Sequence, residues 1–369
     1  MAQETPIEDL IIKTEETEEE FDLKDDDSIE IKTEDDLEKI KAEHERIEIN
    51  NLKSSKILEK LKTIKFTKLE LLSLNDIELT SLDFLINDNF KSLIILELKN
   101  NKITTMNKIS KAPFTELKVL DLSINSISSI EELSKSPFKN LEILVLQKNQ
   151  IENIKPISAG SFKKLKKLDI SNNKIATIDC LTDNDSLQYL ESLYLSDNKI
   201  SKINIFQKNI FKYLKELQLD SNQIESIDDL ENSPCADLEE LFLYNNKIKD
   251  IKVLSKVKFS KLKLLNLGKN DIVDISPLKD CNFVNLIKLD LFDNKIENID
   301  VLDKVPFKNI EELDLSYNSL KSVAIFNNIK FEKLKDLKLG GNSSLNYSGS
   351  DIKDILDKYN IKYNYDILL

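Results

Sequence analysis

The chain has 369 residues, 40% of them hydrophobic and 32% charged, with a formal net charge of −13. At roughly 150 residues per domain this length suits two or three ordinary domains or one elongated repeat array, and the apolar share suffices for a large core. No run of about 18 uncharged apolar residues occurs, which excludes a membrane-spanning helix.

The charge sits at the front. Residues 1–45 hold 19 acidic and 5 basic side chains, and the rest of the chain is nearly balanced. Residues 1–33, with Glu15, Glu16, Glu18, Glu19 and Glu20 followed by Asp25, Asp26 and Asp27, are too acidic and too poor in apolar residues to fold alone. A disordered acidic tail is predicted there. It carries Ile12-Lys13-Thr14-Glu15 and Ile31-Lys32-Thr33-Glu34, both fitting the apolar-Lys-x-acid pattern of ubiquitin-like modifier attachment. The basic and apolar regions of a secretory signal are missing. Cys180, Cys235 and Cys281 lie about 50 residues apart, which suits neither a disulfide framework nor a metal knuckle. The expectation is a reducing compartment, cytoplasm or nucleus.

Residues 34–65 show helical apolar spacing (Leu37, Ile40, then Ile57, Leu58, Leu61, Ile64), with Ser54 and Ser55 as N-cap candidates, and are predicted to form an N-terminal helical cap. Residues 66–345 repeat one pattern: Leu-x-x-Leu-x-Leu-x-x-Asn-x-Ile-x-x-Ile-x-x-Leu. The first leucine slot falls at Leu69, Leu93, Leu117, Leu141, Leu165, Leu190, Leu214, Leu238, Leu262, Leu286, Ile310 and Leu334, in steps of 24 residues with a single step of 25 into Leu190.

Each Leu-x-Leu segment, such as Leu120-Asp121-Leu122, alternates apolar and polar as a short strand with one buried face does. Stacked side by side, the twelve segments make a parallel sheet on a concave wall. The ninth-slot asparagine, Asn101 to Asn342, has donors and an acceptor for backbone groups where the chain leaves the strand. A phenylalanine spine from Phe66 to Phe331 follows on the convex side, with Leu187 and Cys235 filling two of its slots. Residues 346–369 are predicted to form a C-terminal cap, opening at Ser350-Asp351 and running through Ile352, Ile355, Leu356 and Tyr359. The expected fold is therefore an α/β solenoid of about 12 repeats, capped by helices at both ends.

The Asn-x-Ile-x-x-Ile-x-x-Leu stretches, such as Asn294 to Leu302, resemble the cytosolic leucine-rich repeats of the protein-phosphatase-1 regulatory subunit and of a spliceosomal leucine-rich protein. Here the period is two residues longer. An acidic tail beside such repeats also resembles the acidic leucine-rich nuclear phosphoproteins. The resemblance implies an arc or horseshoe whose concave sheet binds another protein.

Residues beside the strand leucines face outward on that wall. In the third slot, Leu71, Ile95, Val119 and Ile143 form an aliphatic ladder joined by Val145. Farther along, Tyr194, Phe242, Tyr244, Phe292 and Tyr317 project from the same wall, and Asp290, Glu312 and Asp314 surround the last two. Exposed clusters of this kind favour a protein partner; the alternative is that these side chains pack on their lateral neighbours within the sheet. Slots two, three, five, seven and eight together hold 18 acidic and 11 basic residues, so the partner is expected to be basic or mixed in charge, and nucleic acid is disfavoured.

Catalysis, cofactors and metals are not expected. His44 is the single histidine and lies in a charged run, no phosphate-binding glycine loop exists, and the recurrent acids Asp121, Asp169, Asp290 and Asp314 are expected without a pocket or a raised pKa. The sequence reading is a non-enzymatic scaffold or regulatory subunit, monomeric on its own and away from membranes. The alternative is a chaperone or buffer for basic proteins in which the acidic tail is the attractor.

Overall fold

The computed structural model describes residues 27–183, 185–345, 354–355 and 357–359. Fourteen parallel strands form one open sheet in strict chain order. They are β1 (Ser28–Ile31), β2 (Arg46–Ile49), β3 (Leu71–Ser73), β4 (Ile95–Glu97), β5 (Val119–Asp121), β6 (Ile143–Val145), β7 (Lys167–Asp169), β8 (Ser192–Tyr194), β9 (Glu216–Gln218), β10 (Glu240–Phe242), β11 (Leu264–Asn266), β12 (Lys288–Asp290), β13 (Glu312–Asp314) and β14 (Asp336–Lys338). Register follows the repeat slot for slot, so that Leu72, Leu96, Leu120 and Leu144 stand side by side.

Parallel neighbours cannot be joined by a hairpin, so each repeat returns along the opposite side. The return is mostly a 3-10 turn of three to five residues, such as Asp228–Leu230 or Ser276–Asp280, and a true α-helical turn forms at Lys155–Ala159. Between the two walls lies one continuous apolar core from Ile31 to Ile355. The phenylalanine spine is inside it: Phe90, Phe114, Phe162, Phe211 and Phe283 are all fully buried, as are Leu187 and Cys235 in the same slots. Burying such a side chain stabilises by about 1.5–3 kcal/mol, and the spine packs across repeats, as where the Phe114 and Phe138 rings stack at 6.2 Å, so each repeat depends on its neighbours.

The asparagines join those repeats. Asn222 donates from Nδ2 to the carbonyls of Leu195 (3.0 Å) and Leu219 (3.0 Å), and its Oδ1 accepts from the Ile200 N–H (2.9 Å). Asn149, Asn173, Asn270 and Asn318 repeat this pattern. In the first repeat, where Ile77 replaces asparagine, Asn101 compensates by accepting from both Ile77 N–H and Leu79 N–H.

The residue just before each asparagine slot has a left-handed backbone in all twelve repeats, from Asp76 (φ 52) to Gly341 (φ 70). Asn, Asp and Gly tolerate that region, but the slot also holds Ile124 and Tyr317, both at φ 54.

The N-terminal region departs from the sequence expectation. Residues 28–31, assigned to a disordered tail, form β1, and the expected helical cap contains strand β2 as well as a 3-10 turn (Glu34–Lys39) and an α-helix (Lys56–Thr63). Ile29-Glu30-Ile31 and Ile47-Glu48-Ile49 alternate with period two, which is a strand pattern. Leu37, Ile40, Ile57 and Leu61 are buried, and the Ser54 hydroxyl accepts from the Lys56 N–H.

At the other end, Asp354, Ile355, Asp357 and Lys358 are helical, and Ile355 is buried. Lys358 Nζ donates to the carbonyls of Phe326, Asn327 and Ile329, and the Tyr359 hydroxyl donates to Ile329 O. The rest of the expected C-terminal cap, including Ile352 and Leu356, and residues 1–26 of the expected tail lie outside the described residues.

Candidate protein-binding surface

The sheet presents two different stretches to its concave side. Along β3 to β6 the third-slot ladder is not exposed: Leu71, Ile95, Val119, Ile143 and Val145 show at most 5% of their surface and form a second apolar cluster, separate from the main core, with Ile94 packed against it. This corrects their assignment as an exposed patch. In-register pairing sets each side chain against the same slot of both neighbouring strands, so branched side chains cover one another's flanks.

Of the acids beside the ladder, Glu97 and Asp169 are buried and Asp121 is half-buried. Burial, assisted by the Asp121 charge, pushes Glu97 up to about 7; burial alone raises Asp121, and it lifts Asp169 to about 6. The expectation of unraised carboxylates in this slot is therefore wrong for Asp121 and Asp169. Carboxylates in a half-covered ladder lose hydration whether or not a pocket is present.

Tyr194, on β8, is also not a projecting anchor. It is 9% exposed, its hydroxyl donates to Glu216 Oε2, and Lys167 Nζ lies over its ring at 4.9 Å. Burial, then the Glu216 charge, pushes its phenol above the ordinary range.

From β10 onward the wall changes. Phe242, Tyr244 and Phe292 are half-buried and Tyr317 is 47% exposed. The Phe292 and Tyr317 rings meet at 5.2 Å, tilted by 58°. Tyr317 also rests on Gly341, where an added Cβ would meet its ring at 2.8 Å. Asp290 accepts from the Phe292 N–H (2.9 Å) and Asp314 from the Ser316 N–H (3.0 Å), so both carboxylates brace the turn carrying the aromatics. Burial lifts Asp290 to about 6.

Two lysines that the sequence reading left out of the site moderate its charge. Lys288 pairs with Glu312 (3.0 Å), and Lys338 lies 3.5 Å from Asp314 and 3.8 Å from Asp336. Burial works against the Lys338 ammonium, yet Asp314 and Asp336 outweigh it and raise its pKa. The cleft among these groups holds about 30 Å³, room for a water and not for a substrate.

A third surface was missed altogether. Tyr189 and Tyr213 stack at 5.8 Å on the flank where the strands begin, and both are half exposed. Both precede the first leucine of their repeat, a slot outside those read as concave. Farther along this flank an open groove of about 360 Å³ is lined by Glu239, Lys261, Lys263, Ile287, Glu311 and others. Along the same flank the second slot carries ion pairs between neighbouring repeats: Lys215 with Glu191, Lys263 with Glu239 and Lys335 with Glu311.

An open parallel sheet closed over by short turns, with an asparagine bridging every pair of repeats, is the leucine-rich repeat fold. Models of the leucine-rich repeat family match residues 139–191, and models of two-copy leucine-rich repeats match residues 115–159, 190–232 and 212–256. In particular, the chain is similar to an internalin from Listeria monocytogenes at 25% identity, with a TM-score of 0.68 over 85% of this chain and 88% of that one.

A leucine-rich repeat protein from Leptospira interrogans shares the fold at 24% identity and a TM-score of 0.66, covering 87% of this chain and 90% of that one. So does the ectodomain of a plant membrane receptor kinase from Arabidopsis thaliana in complex with Casparian strip integrity factor 2, at 21% identity and a TM-score of 0.55, over 82% of this chain and 39% of that one. No curated protein matches the chain in sequence. Leucine-rich repeat proteins generally bind other proteins and are typically scaffolds and not enzymes.

Proposed function

We propose that the protein is a non-enzymatic scaffold or regulatory subunit that grips a globular protein on the concave wall from β10 to β14, with Phe242, Tyr244, Phe292 and Tyr317 as anchors. The observation that carries this reading is Tyr317. A bulky, half-exposed aromatic occupies a left-handed slot that Asn, Asp or Gly fills at lower cost, and Gly341 leaves room for its ring. Nothing about core packing calls for that residue there, whereas a binding anchor does.

Asp290, Glu312 and Asp314 set the polarity of the rim. With Lys288 and Lys338 among them, the matching partner surface is mixed in charge with a basic excess.

The test compares two pairs of substitutions. Phe292→Ala with Tyr317→Ala should reduce partner capture at least tenfold, while Tyr189→Ala with Tyr213→Ala leaves it intact. The reverse result would move the interface to the flank and refute the concave reading.

A further inference from the structure

β1 is the outermost strand at the N-terminal edge of the sheet, and among the described residues no strand pairs with its outer side. The outward amides can be named. Leu71 N–H donates to Glu45 O (3.0 Å) and Arg46 N–H to Asp27 O (3.4 Å), each toward the preceding strand unit. Ser28 is in register with Arg46, and Arg46 with Leu71, so Ser28 N–H and, two residues on, Glu30 N–H point to the open side. The core is open there as well. Ile29 is only half-buried, whereas Ile47 and Leu72 in the same slot are 0% exposed.

The sequence just ahead carries a second copy of the β1 unit. Leu10-Ile11-Ile12-Lys13-Thr14-Glu15 matches Ile29-Glu30-Ile31-Lys32-Thr33-Glu34 at an offset of 19 residues. At the same offset Phe21 falls on the buried Ile40, and Glu20 falls on Lys39. In the β1 unit this stretch has a structural task. Ile31 ends the strand, and Thr33 caps the turn Glu34–Lys39, its hydroxyl and N–H both donating to Asp36 Oδ2 (2.8 and 3.0 Å). Thr14 and Thr17 hold the corresponding two positions. The connection from β1 to β2 uses 14 residues, and 15 separate Ile12 from Ser28.

We propose that the open edge of β1 is a strand-accepting surface whose occupant is residues 9–12 of the same chain, added in parallel with Leu10 against Ile29 and Ile12 against Ile31. The short tether gives this segment a high local concentration at the edge and favours it over any second molecule. An uncovered edge is a template for pairing between chains, so the added strand also keeps the solenoid from joining end to end.

Hydrogen exchange on the full chain tests the assignment. In the unaltered protein the amides of residues 27–33 should exchange at least tenfold more slowly than in a Leu10→Asp, Ile12→Asp variant, with β9 to β13 unchanged between the two. Equal exchange at residues 27–33 in both proteins overturns the proposal. Protection that survives in the variant and rises with protein concentration overturns it too, because it assigns the edge to a second copy.

Discussion

The concave wall is two surfaces made by one repeat. From β3 to β6 the third slot is aliphatic and buried, and the fifth-slot acids beside it are desolvated. From β10 to β14 the third slot is polar except at Leu264, and half-buried Phe242, Tyr244 and Phe292 and exposed Tyr317 stand at the rim, with carboxylates bracing the turns after β12 and β13. The backbone register is the same in both. Identical strand geometry can thus close a face by lateral packing or leave it ready for a partner, according to the side chains in one slot.

That contrast can be broken most sharply at Val119. Aspartate there would bury an unpaired charge among Ile95, Ile143 and Val145, and should destabilise the protein by about 4 kcal/mol. Phe292→Ala, at the half-exposed rim, should cost about 1 kcal/mol or less. Urea unfolding measures both, and equal losses would erase the distinction between the two stretches.

Asn222→Ala removes the amide that bridges two repeats and orphans buried carbonyls, and should cost about 2–3 kcal/mol. Hydrogen exchange should show the loss centred on β8 and β9.

Acidity separates the groups by burial. Asp220, which accepts from the Tyr244 N–H, is held by burial at about 7, and Asp290 at about 6. Raised pKa values mean that the folded chain binds these protons more tightly than the unfolded one. Their contribution is full at low pH and is lost as pH rises through 6 and 7, so stability should fall by about 2 kcal/mol between pH 5 and 8. Asp220→Asn keeps an acceptor for Tyr244 and should flatten that slope.

The smallest expected effect is a gain. Ile124 is a branched residue in the left-handed slot, and Ile124→Asn should stabilise by about 1 kcal/mol, read as a higher melting temperature. Tyr317→Asn should also relieve backbone strain but abolish partner capture, separating strain kept for binding from strain without that role.

Much of this was legible in the chain. Leucine spacing placed twelve strands, the asparagines announced their bridging, and the phenylalanine spine marked the convex core, because each is a local pattern repeated in phase. The strands at Ile29-Glu30-Ile31 and Ile47-Glu48-Ile49 were hidden because they stand outside that phase, although their alternation was visible. Burial of Tyr194 and of the Leu71 ladder was not legible. It depends on what the adjacent strand places beside each side chain, such as Glu216 and Lys167 around Tyr194.

Periodicity alone dictates the solenoid: a fixed period sets the register, and register decides which residues enter the core. Which outward residues stay available, which carboxylates lose their water and which lysines temper the acidic rim is settled by the folded arrangement. Those properties arise between repeats, where side chains far apart in the chain lie one strand spacing apart, and a single repeat read alone does not contain them.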